Sequence, residues 1–288
     1  MGTRTPKAVN SAASTTMPDI LQKDQSTFPD AVADEHVIGE PASVGAFHIE
    51  GKGPPLVLVP GMDGTGRLFY SQIPRLAPHY TVATLKLRDN ADRMELLVED
   101  LARLIRAMTR TGEPAIVCGE SFGGTLSMSL ALAHPELVKR LVVINSFSRF
   151  LPQHRLDAAL ISLRFIPWGA MLLVRRFTSA GMHSPHTHRR EIHRFLQEMR
   201  YTTKEGYVNR LRILKRYDMR PHLGELTMPT LFVASTHDHL VPSMEQARYM
   251  MARVPNASLH VLEGHGHICL IAPGVDLGEI LAQWSHAA

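Results

Sequence analysis

Cysteine is almost absent from this chain, with only Cys118 and Cys269 among 288 residues. A disulfide framework of the kind that holds small secreted domains together is therefore excluded, and reduced thiols in a cytoplasmic protein are the simpler expectation. Each cysteine stands in an apolar run and reads as core packing, since a free thiol behaves as a small hydrophobe. A bilayer-spanning apolar run is lacking as well. The longest candidate, Leu156 to Val174, is broken by Asp157, Arg164, Pro167 and Gly169, which argues against a membrane span. Neither sign of charge dominates. Thirty-one Lys and Arg against 27 Asp and Glu leave a formal charge of +4, and the basic residues are dispersed apart from pairs such as Arg175-Arg176 and Arg189-Arg190. No nucleic-acid partner is expected from that balance. The first forty or so residues, rich in Ser, Thr, Ala, Asp and Gln, carry no secretory-type apolar core, and residues 1–43 are expected to form a flexible extension. Pro6 stands where a myristoylation pattern requires Ser or Thr.

What is present is an alternation of element types. Short apolar runs with strand character recur at Leu56–Val59, Thr81–Leu85, Ala115–Cys118, Leu141–Ile144, Thr230–Ala234 and Ser258–Leu262, with a further strand near Val44–Ile49 expected at the sheet edge. Between them lie helical periodicities at Met94–Met108, Phe122–Ala133, Met244–Arg253 and Val275–Trp284. Strand-helix alternation predicts an α/β class fold, with a mostly parallel sheet covered on both faces. About 85 residues interrupt this rhythm between Ile144 and Thr230. The interval predicts an insertion of two to four helices over residues 147–217, capping the carboxyl edge of a core made of 44–146 and 218–288.

The run Ala115-Ile116-Val117-Cys118-Gly119-Glu120-Ser121-Phe122-Gly123-Gly124 fits G-x-S-x-G between a strand and a helix. A serine on a sharp strand-to-helix turn needs neighbours without side chains two residues before and after it, and Gly119 and Gly123 supply them. The pattern alone arises by chance in roughly one chain in ten of this length. The apolar strand before it and the small-residue helix after it make the match specific. That helix also directs its amino-terminal dipole and free N–H groups at the serine.

The strand ending at Val59 runs into Pro60-Gly61-Met62-Asp63-Gly64-Thr65-Gly66, which opens a helix expected near Arg67–Leu76. A phosphate-binding role is disfavoured because neither a Walker Lys-Ser/Thr ending nor G-x-G-x-x-G follows. The Met62 and Phe122 N–H groups are the candidate oxyanion donors, weighed against an ordinary strand-to-helix turn.

A serine hydroxyl is a poor nucleophile at neutral pH, so a base must take its proton and a carboxylate must orient that base. Asp238 follows the strand Thr230–Ala234, and His267 follows Ser258–Leu262, giving the chain order Ser, Asp, His. Both residues have rivals. His265 lies two residues from His267, but the segment Ile268-Cys269-Leu270 and a helix start at Pro273 favour the second. Asp238 could instead cap the helix near Ser243, and Asn145 occupies the loop where a substitute acid sometimes sits. His237, His239, His183, His186, His188 and His193 read as solvated polar residues rather than metal ligands, because no carboxylate or thiolate set accompanies them.

These three loops resemble those of the α/β-hydrolase superfamily over residues 44–288. Seven residues, Pro60 to Gly66, are also similar to the corresponding loop of its esterase/acyltransferase branch, which includes plant phytyl ester synthases. The chain departs from the commoner pattern by having Pro60 where a His often precedes the oxyanion glycine. The resemblance implies an α/β-hydrolase fold and a serine hydrolase that needs no cofactor or metal. The apolar residues of the expected cap point to a small-molecule substrate with a medium-sized acyl group, or an otherwise hydrophobic ester, cleaved through an acyl-enzyme. Acyl transfer, a ligand-binding protein with little turnover and a peripheral membrane scaffold are the alternatives, because this fold hosts many functions.

Overall fold

The computed structural model describes residues 1, 36–37, 46–109, 112–170 and 181–287. Eight strands among them form one sheet: β1 (His36–Val37), β2 (Ala46–Glu50), β3 (Pro55–Val59), β4 (Thr81–Leu85), β5 (Ala115–Glu120), β6 (Val138–Ile144), β7 (Thr230–Ser235) and β8 (Ala257–Leu262). The spatial order is β1-β2-β4-β3-β5-β6-β7-β8, with β4 to β8 parallel and β2 antiparallel to β4. The strand expected at the edge is thus second from it. His36–Val37, inside the stretch expected to extend from the fold, pairs outside β2, while the remainder of residues 2–43 lies outside the described residues.

Alternation within each strand produces two cores. Val57 and Val59 of β3 face a layer containing Leu97, Leu101 and Ile105 of α2 (Met94–Met108) and Leu126 and Leu130 of α3 (Phe122–Ala133). Leu56 and Leu58 point the opposite way, toward Ile73 and Leu76 of α1 (Ile73–Leu76) and Ile280, Leu281 and Trp284 of α8 (Leu277–Ala287). Both faces are therefore dry, which is why the strands read as continuous apolar runs. Cys118 and Cys269 lie in the second core as free thiols.

Two helices differ from expectation. The Arg67–Leu76 segment splits into a 3-10 turn, Arg67–Phe69, and the one-turn α1, whose first turn takes Pro74. The last helix begins at Leu277, not at Pro273: Gly274 has φ 85, and Asp276 Oδ1 accepts from the Gly278 and Glu279 N–H groups.

Between β6 and β7 the chain leaves the sheet and forms three α-helices among the described residues: α4 (His154–Phe165), α5 (Arg189–Glu198) and α6 (Lys204–Arg216). On returning to β7 the chain continues into α7 (Ser243–Met251). No helix of the described residues is long and apolar enough to cross a membrane.

Strand order reverses around β3, since β4 lies on one side of it and β5 on the other. Loops leaving the carboxyl ends of β3 and β5 diverge there, and the resulting crevice is where open α/β sheets bind ligands.

Candidate active site

Ser121 sits between β5 and α3 with φ 54 and ψ −117, a conformation that costs a non-glycine residue about 1–3 kcal/mol. Its surroundings over-determine it. The Ser121 N–H donates to the Ile144 carbonyl at 2.9 Å, and the Ser146 hydroxyl donates to the Ser121 carbonyl at 2.7 Å. Both flanking glycines are sterically required. A Cβ on Gly119 would stand 2.2 Å from the Gly123 carbonyl oxygen, and one on Gly123 would stand 2.0 Å from that of Val59. Close approach of three backbone segments, rather than turn conformation alone, fixes these two positions.

The predicted partners converge on this serine. His267 Nε2 lies 3.1 Å from Ser121 Oγ, and His267 Nδ1 lies 2.7 Å from Asp238 Oδ2. Ser121 is 9% exposed and His267 5%, while the Asp238 side chain is 1% exposed. Asp238 Oδ1 accepts from the Leu240 and Val241 N–H groups at 3.0 Å each, and Oδ2 also accepts from the Ser243 hydroxyl. Burial works to raise the Asp238 pKa, but the His267 hydrogen bond and charge, with the Ser243 and Val241 donors, outweigh it and hold the carboxyl below its usual range. An ionised Asp238 keeps the proton on Nδ1 and leaves Nε2 free to accept from the serine. His265 turns elsewhere, with Nδ1 2.9 Å from Ser184 Oγ.

The loop bearing His267 is pinned from two sides. Asn145, at the end of β6, donates through Nδ2 to the His267 carbonyl and to Ser235 Oγ, each at 2.9 Å, and accepts the Ser235 N–H at 2.9 Å. From the inserted segment, the Met182 carbonyl accepts the Ile268 N–H at 2.9 Å, and Ser184 Oγ accepts the Gly266 N–H at 3.3 Å.

The loop after β3 is a closed turn. Gly64 N–H donates to the Gly61 carbonyl at 3.1 Å, and Asp63 Oδ2 accepts from the Thr65 N–H at 2.8 Å and hydroxyl at 2.6 Å. It packs on the elbow: a Cβ at Gly61 would lie 3.6 Å from Ser121 Cβ. Among the described residues the Met62 and Phe122 N–H groups enter none of the turn hydrogen bonds. Both remain able to donate.

Residues 54–272 match the family model described as alpha/beta hydrolase fold. The chain belongs to the α/β-hydrolase fold family. Over 255 residues, 83% of this chain and 94% of the relative, this α/β-hydrolase is 28% identical to a Serratia proteamaculans protein named as a carbamate hydrolase, RutD. Over 251 residues, 82% of this chain and 97% of the relative, it is 28% identical to the pimeloyl-acyl-carrier-protein methyl ester esterase of Xanthomonas campestris pv. campestris. The enol-lactonase of Burkholderia xenovorans LB400 shares the fold, with a TM-score of 0.70 at 20% identity over 84% of this chain and 96% of that one.

Four features of this α/β-hydrolase escaped sequence reading. Asn145, which the sequence marks only as the place of a substitute acid, and Ser243, which it marks only as a helix start, support the His267–Asp238 pair. Arg210, on α6, reaches the loop after β3 and donates to the Met62 and Asp63 carbonyls at 3.0 and 3.1 Å. Its one sequence signal is Gly206 four residues earlier, a glycine inside a helix that marks a close approach. His183, expected to be solvated, is 8% exposed and packs edge-on to Phe195, and burial lowers its pKa to about 4. His186, His188, His193, His237 and His239 are exposed as expected. No metal-binding group of three or more His, Cys, Asp or Glu side chains occurs among the described residues.

Proposed function

We propose that this chain hydrolyses a carboxylic ester through an acyl-enzyme on Ser121. The observation that carries this reading is the unbroken hydrogen-bonded path from Ser121 Oγ through His267 to Asp238, with the serine at the amino terminus of α3. In this reading Nε2 takes the hydroxyl proton as Oγ attacks the carbonyl carbon. The Met62 and Phe122 N–H groups receive the oxyanion, each worth about 2.7–4 kcal/mol of barrier. Protonated His267 returns the proton to the departing alkoxide, and the acid leaves when water repeats the sequence on the acyl-enzyme. No step calls on a cofactor. The relatives named as a carbamate hydrolase and a methyl ester esterase support hydrolysis directed at a carbonyl carbon. The helices inserted between β6 and β7 act in this reading as a cap, and their apolar residues suit a hydrophobic acyl group.

Turnover of p-nitrophenyl esters of increasing chain length and labelling by a fluorophosphonate test the reading. Wild type should do both, and Ser121→Ala should lose labelling and at least about 10³-fold in kcat. Equal turnover by the two chains would sink the proposal. An added acceptor alcohol distinguishes transfer from hydrolysis, because an acyltransferase would yield the new ester in place of the free acid.

A further inference from the structure

We infer that Arg210 is a positioning residue for the oxyanion loop, fixing from the inserted segment the turn that aims the Met62 N–H beside Ser121. The inference rests on the serine-hydrolase reading above.

Arg210 is 2% exposed and is the largest of the fully buried side chains among the described residues. Burying a cation this deeply is unfavourable unless strong acceptors receive its protons. Two successive backbone carbonyls do so, Met62 through Nε at 3.0 Å and Asp63 through a terminal nitrogen at 3.1 Å, while Asp89 Oδ1 lies 3.9 Å away. A planar fork with donors at fixed angles matches two adjacent carbonyls in a way an ammonium does not.

Two glycines make room for it. A Cβ on Gly64, whose φ is 68, would stand 2.5 Å from Arg210 Cζ, and one on Gly206 would stand 2.1 Å from Asp89 Oδ1 and 2.9 Å from the nearest guanidinium nitrogen. Gly64 therefore serves both the turn and the arginine beneath it.

Peptide planarity carries the effect to the site. The Gly61 carbonyl and the Met62 N–H belong to one trans peptide and point in opposite directions. With the Gly61 carbonyl bonded to the Gly64 N–H at 3.1 Å, the Met62 N–H faces out of the turn. Arg210 holds the next two peptides, which complete the same turn, so releasing it frees the donor to rotate. The guanidinium charge also favours negative charge developing nearby.

The test compares wild type with Arg210→Lys and Arg210→Met on p-nitrophenyl butyrate, per active site titrated with a fluorophosphonate. Affinity for a trifluoromethyl ketone, whose serine adduct carries an oxyanion, is measured alongside. We expect kcat to fall about ten- to a hundredfold in Arg210→Met with KM within about twofold, and ketone affinity to fall by the same factor. Arg210→Lys should recover part of each loss. Unchanged kcat per site in Arg210→Met, or a loss carried wholly by KM, would overturn the inference. If neither variant folds, a crystal structure of the wild-type ketone adduct decides. An adduct oxygen within hydrogen-bond reach of the Met62 N–H supports it, and one beyond that reach overturns it. A ketone bonded elsewhere than Ser121, or full turnover by Ser121→Ala, would instead bring down the underlying reading.

Discussion

At the residue scale, the environment of Glu120 shows how one site treats two carboxyls oppositely. Asp238 is hydrogen-bonded to the His267 imidazole and is held below its usual range. Glu120, immediately before Ser121, is raised from 4.5 to about 7, first by burial and then by the nearby Asp63 and Asp238, with His267 opposing. Because the folded chain keeps a proton that the unfolded chain releases between those values, the stabilisation is whole below pH 4.5 and is lost as pH rises to about 7. Glu120→Gln, which imitates the neutral acid, should therefore gain stability relative to wild type as pH rises. The gain at pH 8 should not exceed about 3 kcal/mol. Melting both proteins at pH 5 and pH 8 checks this, and an offset that does not grow with pH removes the assignment. Neutralising this carboxyl also keeps negative charge away from the place where an oxyanion would form.

At the element scale, the ends of β6 and β7 and the His267 loop are joined through a single side chain. Asn145 adopts φ 44 and is fully buried, with its Nδ2 shared between Ser235 and the His267 carbonyl. Asp at this position has the same shape but no donor, so a carboxylate oxygen would face a carbonyl oxygen at hydrogen-bond distance. Asn145→Asp should destabilise the chain by about 2–4 kcal/mol at pH 7. The loss should shrink as pH falls, because a protonated acid regains one donor. Urea unfolding at pH 7 and pH 5 measures it. Equal stability of variant and wild type at pH 7 would show that this junction contributes nothing. Nor should the new carboxyl replace Asp238 in an Asp238→Asn background, because the side chain at 145 addresses the loop backbone and not the imidazole.

At the scale of the whole molecule, the second core, on one dry face of the sheet, buries both thiols completely, and burial pushes each well above the ordinary cysteine range. Native protein should react with neither Ellman's reagent nor maleimides on the timescale of minutes, and denatured protein should titrate 2 thiols. Thiol exchange then reports opening of the core. Prompt labelling of the folded chain would mean that the second core is open to solvent. The melting temperature should also be the same with and without dithiothreitol, within about 1 °C, because no cross-link constrains the unfolded state.

The sheet, its two helical layers and the positions of Ser121, Asp238 and His267 were legible in the sequence, because each is a local property. An apolar run bounded by turn residues becomes a buried strand, and a glycine two residues either side of a serine marks a sharp turn wherever the strand is placed. Chain order and loop position then assign the carboxylate and the imidazole. What tertiary structure decided is everything that depends on contact across more than a hundred residues. Arg210 meets a loop 147 residues away, Asn145 holds a carbonyl 122 residues away, and buried His183 lies in a segment docked beside His267. Arginine, asparagine and histidine all look like surface residues in one dimension. Only the packing of distant segments removes them from water and gives their hydrogen bonds a fixed direction.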